Sequence, residues 1–197
     1  MAGISTHCGM TLDPLDPRPE LIRAHDIAVA LSRQARFNGH TVEFYSVAQH
    51  SVIVSQYTRC PLSGLLHDAA EAYIGDMVRP MKAIMPDFDC IERRLQLAIE
   101  ARFDLLPGSL STSDVAHWDD ALLATELAQM MPGCASRGTL PPALADRRLV
   151  ALPPAKALSL FNERFKDILG AWPVVFDSGL EHGELRSYAG ILPGERL

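Results

Sequence analysis

Between Val47 and Lys82 the chain sets out His50, His67-Asp68, Glu71, Asp76, Arg79 and Lys82 in that order. Imidazoles and carboxylates bind divalent cations, carboxylates also move protons, and Arg and Lys hold phosphate oxygens. The His67-Asp68 pair sits in the apolar run Gly64-Leu65-Leu66-His67-Asp68-Ala69-Ala70-Glu71-Ala72-Tyr73. Burying an imidazole beside a carboxylate is costly unless each finds a partner, and a divalent cation is the usual one. Such a set without thiolates suits Mn, Fe, Co, Ni or Zn, and its oxygen donors keep Mg eligible. A fourth ligand is expected from a later helix, in His117-Trp118-Asp119-Asp120. A His-Asp pair alone is weak evidence, because the chain contains a second one, His25-Asp26. That pair lies at a helix start, where Asp26 suits the positive helix end, and it is read as structural. His7, His117 and His182 have no ligand spacing and are read as structural or surface residues.

These groups meet only if separate helices carry them to one place. Pro19 and Glu20 suit a helix start, with Leu21, Ile22, Ile27, Ala28, Ala30 and Leu31 at helical spacing. That helix is expected to end near Phe37-Asn38-Gly39, where Asn and Gly tolerate left-handed geometry. A second should start at Ser46, a good N-cap, and carry His50 to about Tyr57. A third should begin after Pro61 and carry His67, Asp68 and Glu71 to Ile74, where Gly75 breaks it. Offsets of four and three residues place Glu71 on the same helical face as His67 and Asp68. Asp76 follows at the helix end, where a carboxylate opposes the dipole, so it is read as a site residue. Further helices are expected over 87–103, over 113–131 with Ser113 as N-cap, and over 155–169, with a loop over 133–155. Ile4 to Leu12 suggests a short strand or hairpin in a lead-in over 1–19, and Val174-Val175-Phe176 a short strand. The fold class expected is all-α, a compact helical bundle with minor β, in one domain over 1–197 with its core at about 20–170.

With 197 residues and 48% of them hydrophobic, the chain can bury a substantial core. A net charge of -6 argues against nucleic acid as the main partner, yet permits a small anion in a local cationic pocket. No apolar run approaches the roughly 20 residues that span a bilayer, and no signal-peptide pattern opens the chain. Cys8, Cys60, Cys90 and Cys134 are scattered without a C-x-x-C pair, so reduced thiols in the cytoplasm are expected. The apolar helices and small size allow a homodimer or a higher homo-oligomer.

The pattern resembles the HD-domain phosphohydrolase superfamily, whose signature is a His, a His-Asp pair and a later Asp on separate helices. It is most similar to the nucleotidase branch, with its 5'-deoxynucleotidases and phage-type deoxyadenosine triphosphate triphosphohydrolases. The resemblance covers about residues 20 to 130. It rests on Asp26-Ile27-Ala28, Arg36-Phe37-Asn38-Gly39-His40, Tyr45-Ser46-Val47-Ala48-Gln49-His50-Ser51, His67 through Asp76, Arg79-Pro80-Met81-Lys82, and Asp119 through Glu126. It implies His50, His67, Asp68 and Asp119 as ligands of a divalent metal. Asp119 is preferred to Asp120 because the family's Asp stands seven residues before the Glu matched by Glu126.

The same resemblance gives Glu71 the task of orienting the attacking water or taking its proton. Asp76 would serve the leaving-group or sugar side. Arg36 would approach phosphate, Phe37 would lie near the nucleoside where relatives often carry Trp, and Lys82 would contact phosphate. Arg79 joins the substrate-binding set by location beside Lys82, and His40 by closeness to Arg36-Phe37. The activity implied is metal-dependent hydrolysis of a deoxynucleotide, leaning to removal of triphosphate from a deoxynucleoside triphosphate. The alternatives are a 5'-deoxynucleotidase acting on monophosphates and, from another class, a low-turnover nucleotide sensor, against which Glu71 argues. Cyclic-nucleotide phosphodiesterase activity is a third option.

Overall fold

The computed structural model describes residues 3–133 and 140–170 of an all-α fold with minor β. Strands β1 (Ile4–Ser5) and β2 (Thr11–Leu12) form an antiparallel hairpin with Ile4 opposite Leu12. The helices are α1 (Ala24–Arg33), α2 (Val47–Tyr57), α3 (Pro61–Leu66), α4 (Glu71–Ile74), α5 (Arg79–Lys82), α6 (Pro86–Arg102), α7 (Ser113–Met130) and α8 (Pro154–Leu169). The expected strand at Val174-Val175-Phe176, together with Cys134 and His182, lies outside the described residues.

Helix α2 is the axis of the fold, packed against α1, α3, α7 and α8. Its residues Val47 to Ser55 are all buried, so it shows no polar face, as a central helix must. Ser46 caps it as expected, its Oγ accepting from Gln49 N at 3.2 Å. The α7 cap is one residue earlier than expected, at Thr112, whose Oγ1 accepts from Val115 N. A cluster of Tyr45, Ile53, Val54, Leu122, Met130 and Leu149 joins α2 to α7. Gln49 fixes the segment before α8, donating to Val150 O at 2.6 Å and accepting from Leu152 N at 3.1 Å.

The first helix is shorter than its sequence pattern suggested. Pro19–Leu21 forms a separate 3-10 turn, Arg23 is extended, and α1 runs only from Ala24 to Arg33. Backbone pairing ends it, because Val47 N bonds Gln34 O and Arg36 N bonds Tyr45 O, pulling Gln34 and Ala35 into extended geometry. The left-handed turn expected at Asn38 and Gly39 is present and also includes Phe37, at φ 54°. Left-handed backbone at a bulky residue costs roughly 1–2 kcal/mol, so the surroundings hold Phe37 there. In the His25-Asp26 pair, Asp26 Oδ1 accepts from Cys8 N at 2.7 Å and ties the hairpin to α1.

The helix expected over 61–74 is split into α3 and α4 by a tight turn at 67–70. His67 Nδ1 donates to Gly64 O at 2.8 Å, taking the carbonyl that the Asp68 amide would use in a continued helix. Ala69 N and Glu71 N instead bond Leu66 O and Asp68 O, three residues back. Three residues per turn bring Asp68 and Glu71 onto one line. Gly64 makes the approach of α3 to α2 possible. A Cβ there would collide with Thr58 Oγ1 and lie 2.9 Å from Ser55 Cα. Gly64→Ala should therefore cost about 1–3 kcal/mol of stability, read by urea denaturation, and weaken metal binding by moving His67 from His50. An unchanged denaturation midpoint would contradict this packing.

Candidate metal centre

His50 projects from the middle of α2 and His67 from the turn after α3, both buried. His67 Nδ1 faces the Gly64 carbonyl, which can only accept, so that nitrogen carries the proton. His50 Nδ1 lies 2.7 Å from Glu126 Oε1, a carboxylate held ionised, so it too donates. With His50 neutral, as ligation requires, both Nε2 atoms would present lone pairs, and they face one another at 3.3 Å. Asp119 Oδ1 lies 3.1 Å from His50 Nε2, and Asp68 Oδ2 lies 3.3 Å from His67 Nε2 and 3.7 Å from His50 Nε2. His50, His67 and Asp119 form a group that could hold a metal ion, with their ligand atoms within 4.8 Å of one another. Asp68 stands at its edge, its Oδ2 also 3.5 Å from Arg36 Nη1.

Without an ion, protonation of His50, favoured by Glu126 and Asp119, balances the carboxylates, and a divalent cation would take the place of that proton. Ligands about 2.0–2.2 Å from an ion are roughly 3.0–3.5 Å from one another, the edge length of a tetrahedron or an octahedron. The 3.1 and 3.3 Å separations fall in that range, and the 3.7 Å between His50 Nε2 and Asp68 Oδ2 lies just beyond it. Each imidazole also has its other nitrogen fixed by an acceptor, the usual second layer of a metal-binding histidine. The donor set and its geometry thus fit a divalent cation.

Glu126 holds this centre together from behind. It is fully buried, takes His50 on Oε1, and takes Arg36 Nη2 at 2.9 Å and Nε at 3.2 Å on Oε2. Burial opposes its charge, but Arg36 and His50 hold its carboxyl below the usual range. Burial and Arg36 push the His50 imidazole down, yet Glu126 and the hydrogen bonds with Asp119 and Glu126 outweigh them and lift it to about 9. Burial opposes the Asp119 charge too, but its hydrogen bond with His50 and nearby positive groups keep its carboxyl well below normal. Glu71 differs: burial, with Asp68 and Asp76 adding to it, pushes its carboxyl well above the usual range. Its Oε2 is buried without a hydrogen-bond partner.

A cleft of about 730 Å³ opens onto the centre. Arg36, Phe37, His40, Asp68, Glu71, Asp76, Arg79, Lys82 and Asp119 all line it, so every residue singled out from sequence is on its wall or, for His50 and His67, in the buried cluster that Asp68 and Asp119 complete. Their pairings refine the roles expected. Arg36 is engaged mainly by Glu126, and its guanidinium lies over the Phe37 ring at 5.4 Å. Lys82 Nζ bonds Glu92 at 2.7 Å and lies 3.7 Å from Glu71. Arg79 grips Asp119 and Asp120 rather than standing free. Gly75, at φ 84°, ends α4 and turns the chain so that Asp76 reaches the cleft. From Asp119 the cleft wall continues through Leu123, Leu127 and Met131, one residue every fourth position. That apolar ridge leads about 18 Å away from the cluster.

No protein-family model matches the chain. It is similar to the uncharacterized protein YfdR of Escherichia coli K12, 36% identical over 151 residues that cover 73% of this chain and 83% of YfdR. The chain belongs to the YfdR family. It is also 41% identical over 109 residues to an uncharacterized protein of Rhodobacter capsulatus, covering 49% of this chain and 56% of that protein. For this member of the YfdR family, the residues that sequence reading missed are the supporting ones. Glu126 served there only as a register mark and Asp120 only as the alternative to Asp119, and Glu92 and the Leu123-Leu127-Met131 ridge went unremarked. The ridge alone carried a signal, its fourfold spacing from Asp119. The pairings of Arg36 with Glu126 and of Arg79 with Asp120 join segments 90 and 41 residues apart and have none.

Proposed function

We propose that this protein is a divalent-metal-dependent phosphohydrolase of deoxynucleotides, of the HD-domain type, and that deoxynucleoside triphosphates are its preferred substrates. The observation that carries the proposal is the pair of buried imidazoles, each fixed through Nδ1, facing each other through Nε2 with Asp119 alongside. A divalent cation held there by His50, His67, Asp119 and Asp68 would acidify water and offset phosphate charge. Glu71, with its raised pKa, takes the proton of the attacking water and orients its lone pair toward phosphorus. Arg36 and Lys82 stabilise charge developing on the phosphate oxygens. Asp76, on the cleft wall, would serve the leaving-group or sugar side, and Phe37 with the α7 ridge would give the nucleoside an apolar seat. None of the described helices is long and apolar enough to cross a membrane, in keeping with a cytoplasmic enzyme working on soluble nucleotides.

The test is to incubate the protein, metal-free and loaded with Mn, Co or Mg, with a panel of deoxynucleoside mono- and triphosphates. Inorganic phosphate and triphosphate are resolved as separate products. Metal-dependent release of triphosphate is expected. Phosphate from monophosphates alone would convert the reading to a 5'-deoxynucleotidase, and nucleotide binding with no product would leave a sensor.

A further inference from the structure

Two acidic residues stand side by side on α7, and only one belongs to the cluster. Asp119 divides its oxygens, with Oδ1 3.1 Å from His50 Nε2 and Oδ2 2.9 Å from Arg79 Nη2. The other terminal nitrogen of Arg79, Nη1, lies 2.6 Å from Asp120 Oδ1. The two terminal nitrogens of one planar guanidinium thus hold one carboxylate each.

We infer that Arg79 is a positioning residue for the metal ligand Asp119, anchored by Asp120, and not a phosphate contact. A phosphate reaching Arg79 would have to displace two charge-assisted hydrogen bonds made by both terminal nitrogens. Holding Oδ2 stops the Asp119 carboxylate from rotating, so that Oδ1 alone faces the two imidazoles. Asp120 holds the far arm of the fork and so fixes the guanidinium plane. Arg79 begins α5, a four-residue helix that ends with Lys82. Lys82 repeats the arrangement one turn later, between Glu71 of the site and Glu92 outside it. The short helix thus ties both reactive carboxylates to neighbours outside the cluster.

The inference rests on the metal reading of the cluster, and Mn(II) titration of the metal-free protein by calorimetry separates the two. Arg79 is more than half exposed, so its variants should fold, and a thermal melt checks this. Arg79→Gln should weaken Mn(II) affinity about 10–100-fold, as loss of a supporting partner does. Asp120→Asn should weaken it in the same direction by less. Arg79→Lys, which lacks the planar fork, should restore it only in part. Wild-type protein that binds Mn(II) while Arg79→Gln binds it equally well, or full recovery in Arg79→Lys, overturns the positioning role and returns Arg79 to phosphate. Failure of the wild type to bind Mn(II) removes the metal reading and this inference with it. If Arg79→Gln does not fold, Asp120→Asn decides: unchanged affinity there overturns the proposal.

Discussion

Replacing Glu126 with alanine should cost about 3–5 kcal/mol of folding stability, the largest loss expected of any single polar residue in the site. Its carboxylate is wholly buried and neutralises Arg36 while accepting from His50. Without it, a buried guanidinium loses two of its hydrogen bonds and the His50 Nδ1–H faces nothing. In a chain of this length the melting temperature should fall by roughly 10 °C or more. Glu126→Gln keeps the shape but not the charge, so its metal affinity should fall about 10–100-fold with a smaller melting shift. Thermal melts and Mn(II) titration of both variants read the two effects. A melting temperature within a degree of wild type for Glu126→Ala would mean that Arg36 has another partner in solution.

The second large effect concerns turnover. Glu71→Ala should retain bound metal and nucleotide while losing about 10²–10⁴-fold in single-turnover rate, the usual contribution of a positioned proton acceptor. The group must be ionised to accept a proton. Because burial, with Asp68 and Asp76, raises its pKa, activity should fall as pH drops through that raised value. The acid limb of the rate profile should be missing in Glu71→Gln. Lys82→Ala is the contrast. Phosphate charge is present in both ground and transition states, so binding and turnover should weaken together. A Glu71→Ala rate equal to wild type across the nucleotide panel would sink the catalytic assignment and favour a sensor.

The helical class, the extent of α2, the break at Gly75 and the placement of His25-Asp26 were all legible from sequence because each has a local cause. Ser46 caps through its own side chain, and Gly75 supplies the positive φ at its own position. The boundaries of α1 and the split between α3 and α4 were not legible. Both arise from contacts that helical spacing does not encode: Gln34 and Arg36 pairing with Val47 and Tyr45, and the His67 ring claiming the Gly64 carbonyl. The site follows the same division. Imidazoles and carboxylates at recognisable spacing announce themselves, whereas Glu126, 76 residues from its partner His50, is visible only once α2 and α7 are packed together. Arg79 and Lys82 show why charge and location were not enough to assign a role. Arg79 has a carboxylate on each terminal nitrogen, whereas Lys82 Nζ has one close partner and N–H donors to spare for phosphate.

Anomalous diffraction from crystals soaked in Mn(II) tests most directly whether these side chains hold a divalent cation. One dominant anomalous peak is expected about 2.0–2.3 Å from His50 Nε2, His67 Nε2 and Asp119 Oδ1, with Asp68 completing the set. The peak should vanish in His67→Ala. A direct His50–Asp119 hydrogen bond persisting at saturating Mn(II), with no peak between the imidazoles, would contradict the metal reading.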